Sequence, residues 1–374
     1  MIKKVLVTGS AGFIGKNLIC ALKSCKDLQI YQYDINNSQG DLKKALLEAE
    51  VIFHLAGVNR PKDNAEFSQV NTGLTDIICR ILEENQRRPR FVFASSTQAE
   101  LDNPYGVSKK AAEEVLRKFQ QKTGADVVIY RLPGVFGKWS QPNYNTVVAT
   151  FCYNIARNKT VINNDPSREL TLVYIDDVVQ AFVSELKAER SDPAFRYGSV
   201  KSEFITTLGE LETKIRFFRD TRNSLLLPEM FDRFTRCLYA TYLSFLPTDG
   251  FAYSLPAKED ERGSLAEFIK LSAMGQIFVS RTKPGKIRGN HFHHTKVEKF
   301  LVLKGKGIIR FRRIDSEEIL EYPVDGKEFK VVDIPPGYTH SIENVGECEM
   351  ITLFWAGEIF NPEKTDTTYL PVQQ

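Results

Sequence analysis

Several features are scarce in this chain, and each shortage closes off a class of function. Its six cysteines, Cys20, Cys25, Cys79, Cys152, Cys237 and Cys348, are scattered, and no two form a Cys-x-x-Cys pair. A thiolate zinc site and a disulfide framework are thereby set aside, and reduced thiols are expected. No apolar run approaches the roughly 18 residues that a membrane-spanning helix requires. The N-terminus has no basic segment leading into a signal-length apolar stretch. A cytoplasmic protein without membrane insertion is the expectation. The formal net charge is only +3 over 374 residues. Nucleic acid is therefore not an expected partner, although a local basic cleft for a phosphorylated substrate is still allowed.

What is present is ordinary for a globular protein. Apolar residues make up 42% and charged residues 26%, a balance that argues against long disorder. The length exceeds one ordinary core, so more than one domain is expected. Strand and helix patterns alternate in the first half, whereas short strands without helices fill the last third. Between them, "PTDGFAYSLPAKEDERGS" (247–264) breaks the helical pattern with Pro and Gly and adds a charge run. The expected division is 1–246 for an α/β dinucleotide-binding domain with a small substrate lobe, and 247–374 for an all-β domain.

The opening "KKVLVTGSAGFIGKNLICALK" has the form strand, glycine turn, helix. Gly9 would make the tight turn, Gly12 would let backbone approach a pyrophosphate, and Gly15 would let helix pack on strand. The helix N-terminus then offers unpaired N–H groups to phosphate. A second strand, "LQIYQYD", ends at Asp34, where a carboxylate suits the ribose hydroxyls of NAD and repels a 2′-phosphate. "AEVIFHLAG" is a third strand, with His54 inside it as a packed core residue. Phe67, Val70, Leu74, Ile77 and Ile81 then recur at helical spacing, as in a helix covering the sheet.

"RFVFASST" delivers Ser96 to a strand end, and "NPYGVSKKAAEEVLRKF" follows. Tyr105 and Lys109 are four apart on one helix and share a face. An ammonium beside a phenol lowers the phenol pKa, and a serine hydroxyl can hold the substrate oxygen during proton transfer. These features, with "FHLAG", "RLPGVFG" and "RELTLVYIDDVVQAF", resemble the extended short-chain dehydrogenase/reductase family over residues 3–185. The resemblance implies catalytic roles for Ser96, Tyr105 and Lys109. It implies a cofactor site of Gly9, Gly12, Phe13, Ile14, Gly15, Asp34, Leu55, Ala56, Gly57, Tyr105 and Lys109, and substrate diphosphate binding by Arg168. Where hexose dehydratases of the family carry Asp-Glu just after the catalytic threonine, Thr97 and Gln98 stand here, with Ala99 next. No acid is available there for elimination, and simple redox chemistry at one carbon is left.

"GNHFHHTKVEKFLVLKG" (289–305) holds three of the five histidines. On a strand, His291 and His293 would share a face, Glu298 would come from the next strand, and His340 from "PPGYTH". A His3Glu set suits Zn²⁺ or another first-row divalent ion. His294 would point away. The pattern is similar to the cupin superfamily, a jelly-roll fold, with Gly305, Pro335, Gly337 and Asn344 completing its two motifs.

The succession of reductase and cupin resembles the bifunctional capsular-polysaccharide enzymes of the UDP-2-acetamido-2,6-dideoxy-β-L-talose synthase type. That resemblance implies a UDP-sugar substrate, C3 epimerisation of a 4-hexulose in the metal-bearing cupin, and C4 reduction with NADPH in the first domain. It also implies a homodimer on the route to UDP-N-acetyl-L-fucosamine. On the cofactor, Asp34 favours NADH and the resemblance NADPH. A narrower expectation has one activity, a nucleotide-sugar 4-reductase or 4-epimerase, with a structural or dimerising cupin.

Overall fold

The structure is a computed structural model describing residues 3–59, 63, 66–144, 146–189, 194–363 and 366–373. It divides into two compact units, Met1–Arg216 with Cys237–Pro247, and Phe217–Arg236 with Thr248–Gln374. Residues 217–236, placed by the sequence division with the first domain, belong to the second unit. There Leu227 N–H donates to Lys270 O at 2.9 Å and Lys270 N–H to Leu225 O at 2.8 Å. Backbone pairing of this kind carries no side-chain signature.

The first unit is built on strands β1 (Lys3–Thr8), β2 (Leu28–Tyr33), β3 (Val51–His54), β4 (Arg90–Ser96), β5 (Val127–Leu132), β6 (Gly134–Phe136), β7 (Glu169–Tyr174), β8 (Phe195–Gly198) and β9 (Glu203–Thr207). Its helices are α1 (Phe13–Lys23), α2 (Gln39–Glu48), α3 (Leu74–Glu84), α4 (Pro104–Thr123), α5 (Val147–Ile155) and α6 (Ile175–Ser184). Helices α7 (Leu208–Ser224) and α8 (Arg233–Ser244) follow. Among the described residues the main sheet runs β2-β1-β3-β4-β5-β8, all parallel. Helices cover both faces, so β4 is buried along its whole length and reads as a continuous apolar run rather than an alternation. Phe53 and Phe182 pack on one face, Phe91 and Phe119 on the other. Each of these rings contributes about 1.5–3 kcal/mol by burial. This is a Rossmann-like, extended short-chain dehydrogenase/reductase fold, with β6, β7 and β9 forming a small second sheet.

The helical stripe from Phe67 needs correction. Residues Phe67–Gly73 wind as a π-helix before α3 begins. The wider turn shifts the phase: Asn71, Thr75, Ile78 and Leu82 face inward, and Ile77 is exposed. Hydrogen bonding explains the choice. Thr75 Oγ1 meets His54 Nε2 at 2.9 Å, and Asn71 bonds Val58 N–H and Ser108 Oγ. His54 is indeed a satisfied core residue, since its Nδ1 also meets Thr8 Oγ1 at 2.7 Å.

The second unit is antiparallel throughout its two β-sheets, the jelly-roll expected. Its strands are β10 (Ala257–Asp260), β11 (Gly263–Leu271), β12 (Gly275–Thr282), β13 (Ile287–Phe292), β14 (Glu298–Lys304), β15 (Lys306–Arg313), β16 (Ile319–Asp325), β17 (Val331–Ile334), β18 (Tyr338–Asn344), β19 (Met350–Ala356) and β20 (Thr368–Tyr369). One sheet is ordered β10-β11-β12-β19-β14-β17 and the other β16-β15-β18-β13-β20. Phe300, Phe311, Ile342 and Phe354 fill the space between them. Among the described residues, no helix is long and apolar enough to cross a membrane.

Candidate active site and candidate metal centre

In the first unit, strand order reverses between β1 and β3, which each neighbour on opposite sides. Ligands of open α/β sheets bind outside the strand ends at such a point. A cavity of about 460 Å³ lies there, lined by Gly9, Gly12, Phe13, Ile14, Gly15, Asp34, Leu55, Gly57, Ser96, Tyr105 and Lys109. Gly9 sits at φ +67°, and a Cβ on it would fall 2.6 Å from Ala56 N. Ala56 is therefore a packing partner of the glycine turn and is not among the lining residues. A Cβ on Gly15 would fall 2.1 Å from Gly9 O. Gly12 caps α1, whose first turn carries no acidic residue to compete with a bound phosphate.

Asp34 is held in place from both sides. Its Oδ2 accepts Ala11 N–H at 2.7 Å and its Oδ1 accepts Ile35 N–H at 2.8 Å. The carboxylate thus braces the glycine turn and at the same time lines the cavity.

Helix α4 starts where it does because Asn103 Oδ1 accepts Gly106 N–H at 2.8 Å and Pro104 takes the first helical position. Tyr105 follows in the first turn. A Cβ on Gly106 would lie 2.0 Å from Gln98 O, so the short loop after Ser96 is closed by backbone-to-backbone contact. The Ser96 hydroxyl stands close enough to the Tyr105 phenol to favour its ionised form.

Electrostatics differ here from the simple expectation. Burial pushes the Tyr105 phenol up to about 12, and the nearby Ser96 hydroxyl only partly opposes it. The Lys109 ammonium donates to Ala94 O at 2.9 Å and lies 5.9 Å from the Tyr105 ring centre. Burial takes the Lys109 ammonium down to about 8, with Glu113 opposing. Glu113 is itself buried and receives Ser95 Oγ–H at 2.5 Å and Arg131 Nη2–H at 2.7 Å. Sequence reasoning missed Glu113, Asn71 and Tyr144. Tyr144 lines the cavity and its phenol is close enough to raise that of Tyr105. Only the Lys109-to-Glu113 spacing of four could have signalled one of them. Arg168 is exposed just before β7 and is not among the lining residues.

In the second unit, His291, His293, Glu298 and His340 come together, with one donor atom of each within 4.8 Å of all the others. His291 and His340 are cross-strand partners on β13 and β18. The expected single strand carrying both His291 and His293 is modified: β13 is bulged between Gly289 and His291, and His293 follows its end. His293 and His340 place Nε2 at 3.5 and 3.4 Å from Glu298 Oε2. Those separations are long for charged hydrogen bonds. Donors held tetrahedrally about 2.0–2.1 Å from a zinc ion would lie roughly 3.3–3.4 Å apart. Nε2 of His293 and both ring nitrogens of His340 have no hydrogen-bond partner although buried. Buried, unsatisfied donors at this spacing fit a divalent ion.

Protonation states agree. Burial, with His340 adding to it, takes His291 down to about 4, the neutral form that ligates. Burial alone would push the Glu298 carboxyl up, but the nearby His293, His340 and Lys296 hold it below the usual range. Lys296 Nζ lies 3.3 Å from Glu298 Oε1. His294 is exposed, as expected. Asp366, which nothing in the sequence singled out, organises the loop: its carboxylate accepts the N–H groups of His294, Thr295 and Lys296 at 2.8–2.9 Å.

Residues 5–197 match the NAD dependent epimerase/dehydratase family, and the chain belongs to it. Residues 258–368 match the polysaccharide biosynthesis C-terminal domain. The chain is 43% identical to the UDP-2-acetamido-2,6-beta-L-arabino-hexul-4-ose reductase of Pseudomonas aeruginosa, over 97% of each chain. It superposes on the capsular polysaccharide assembling protein CapF of Staphylococcus aureus with a TM-score of 0.91 at 45% identity, covering 98% of this chain and all of that one. A CapF structure with the inhibitor 3-isopropenyl-tropolone aligns with a TM-score of 0.88 at 41% identity, covering 99% and 100%.

Proposed function

We propose that the protein is a bifunctional nucleotide-sugar enzyme. It epimerises C3 of a UDP-2-acetamido-2,6-dideoxy-4-hexulose in the second unit and reduces the C4 ketone with NADPH in the first. The product is UDP-2-acetamido-2,6-dideoxy-β-L-talose. The observation that carries this reading is the pairing, in one chain, of Ser96 and Tyr105 at a dinucleotide cleft with a buried His3Glu cluster. The name of the Pseudomonas aeruginosa relative, a reductase of a UDP-hexul-4-ose, supports the substrate class and the C4 chemistry.

In the first unit the nicotinamide cofactor supplies the hydride to C4. Tyr105 gives its phenolic proton to the forming C4 alkoxide, and the resulting phenolate is reprotonated from solvent. A phenol of high pKa is a weak acid in isolation, so the nearby Lys109 charge must support the phenolate as it forms. Ser96 holds the C4 oxygen in line. The helix N-terminus at Gly12 binds the cofactor pyrophosphate.

In the second unit His291, His293, Glu298 and His340 would hold a zinc or similar divalent ion, which would supply Lewis-acid polarisation of the 4-keto group. The chain must supply the base that takes the C3 proton. Lys296, at 3.3 Å from Glu298, and Tyr338, two residues before His340, stand beside the cluster. A His–carboxylate dyad is not the device used by His293, whose Nδ1 is bonded to a backbone carbonyl.

The test is to incubate purified protein with the UDP-4-keto-6-deoxy-N-acetylhexosamine, in deuterated water and with NADPH or NADH, and to identify the product by proton NMR. Reduction with no deuterium at C3 would establish the narrower reading, a single-activity 4-reductase. That alternative is favoured by the relative's name, which records reduction alone. The homodimer, the 1–246 and 247–374 functional division and the diphosphate role of Arg168 belong to the same proposal.

A further inference from the structure

Asn290, immediately before the candidate ligand His291, sits at φ +60°, and Gly289 before it at φ +95°. A Cβ on Gly289 would fall 2.7 Å from His340 O, so β13 presses closely on β18 at this point. Left-handed backbone is uncommon outside glycine, although asparagine tolerates it better than most residues. Such a conformation persists where its surroundings hold it.

What holds it is the end of the chain. Asn290 O accepts Leu370 N–H at 2.9 Å, and Asn290 Oδ1 accepts Val372 N–H at 3.2 Å. In the same ladder Tyr369 pairs with His291 and Thr368 with Phe292. Thr339, the neighbour of His340, donates its hydroxyl to Leu370 O. His293 bonds through Nδ1 to Asp366 O. Each of the three imidazoles, or the residue just before it, is therefore tied to residues 366–372, whereas Glu298 stands on β14 in the other sheet. Arg312 is the far anchor: its Nε donates to Val372 O at 2.9 Å and its Nη2 to Pro371 O at 2.8 Å.

A strand that merely closes a sheet edge would be fixed by a long ladder and a buried apolar face. β20 has only two residues, both exposed, and Val372 is the one fully buried apolar side chain among residues 366–373. Little apolar area leaves water, so docking rests on hydrogen bonds, each of modest net worth. Segments of this kind open locally at low free energy. An ion that fixes His291, His293 and His340 therefore has leverage on the chain end. Thermodynamic reciprocity makes that leverage mutual.

We propose that residues 366–373 are a clamp on the candidate metal centre. Docked, they hold Asn290, Thr339 and His293 so that the three imidazoles keep their ligating arrangement; released, they let the centre open and the ion leave. Metal occupancy and docking of the chain end are one coupled equilibrium. The assignment rests on the proposed metal-bearing role of the second unit and deepens it: the state of the chain end sets the fraction of protein able to hold the ion.

The test is amide hydrogen exchange of the full chain, read by mass spectrometry in zinc-loaded and chelator-stripped protein. Peptides covering 366–373 should exchange about tenfold more slowly with zinc bound. Equal exchange in the two forms, with zinc bound stoichiometrically, overturns the clamp and leaves the metal centre standing. Slowing spread evenly over β11 and β16 as well marks general stabilisation and also overturns it. Failure of the wild-type protein to bind zinc overturns the metal centre itself, and the clamp with it. Two variants give a second readout, zinc affinity by chelator competition. A chain ending at Tyr369 keeps Asp366 but loses the bonds from Leu370, Pro371 and Val372 to Asn290, Thr339 and Arg312, and should bind zinc about tenfold more weakly. Asn290→Gly, which accepts the same φ but offers no Oδ1, should also bind it more weakly, and Asn290→Asp, which keeps the acceptor, should not. Wild-type affinity in both the shortened chain and Asn290→Gly refutes the clamp.

Discussion

His293 Nδ1 is hydrogen-bonded to the backbone carbonyl of Asp366, 73 residues further along the chain. A carbonyl can only accept, so the imidazole proton sits on Nδ1 and the Nε2 lone pair turns towards Glu298 and His340. The same residue fixes the loop after His293 through its carboxylate. Burial opposes charge on Asp366, but the N–H groups of Lys296, Thr295 and His294 hold its carboxyl well below the usual range.

That relationship makes Asp366 a support of the candidate metal centre. Asp366→Ala should weaken divalent-ion binding by about 10–100-fold, the usual cost of losing an outer partner of a ligating histidine. Competition with a chromogenic chelator measures it. The carbonyl is retained in the variant, so a loss of this size would come through the three N–H groups. Unchanged affinity would show that the loop holds itself.

Division of labour between the units can be read by one substitution. Tyr105→Phe should remove NADPH consumption, by about 10²–10⁴-fold, while solvent deuterium still enters C3 of the hexulose. Loss of both together would contradict the separation.

Lys109 sets a pH limit. Its folded pKa is lowered to about 8 by burial, so the charged form exists below that value and is lost above it. The reductase rate should therefore fall as pH rises through about 8. Glu113 opposes the shift, hence Glu113→Gln should move this limb to lower pH. Initial rates of NADPH oxidation between pH 6 and 10 check both, and a limb that does not move in Glu113→Gln would exclude the coupling.

Gly15 tests the cofactor turn. Gly15→Ala places a carbon 2.1 Å from Gly9 O, a backbone atom that cannot swing away. At a concentration 100-fold above Kd, a dinucleotide stabilises the wild-type fold by about 2.7 kcal/mol. The variant should show no such cofactor-dependent rise in Tm.

Much of this was legible in the chain because the chemistry constrains residue types locally. Gly15 is demanded by a contact with Gly9 in the same turn, and Tyr105 and Lys109 share a helix face by spacing alone. His291, His293, Glu298 and His340 were legible as a set because strand alternation and a tight turn bring them to one side, even though β13 is bulged between Gly289 and His291 and ends before His293. The phase of the helix after Phe67 was not legible. A π-turn there is chosen by Asn71 and Thr75 finding Ser108 and His54, partners that helical periodicity cannot see.

By itself, then, the sequence determined the order of the two units, the glycine turn, and the Ser–Tyr–Lys and His3Glu candidate sets, because each is carried by the spacing of a short motif. Only the tertiary structure decided the burial of Tyr105 and Lys109, the contacts of Asp366 and the membership of residues 217–236. Burial and long-range pairing set these, and both depend on which distant segments pack together rather than on which residues follow one another.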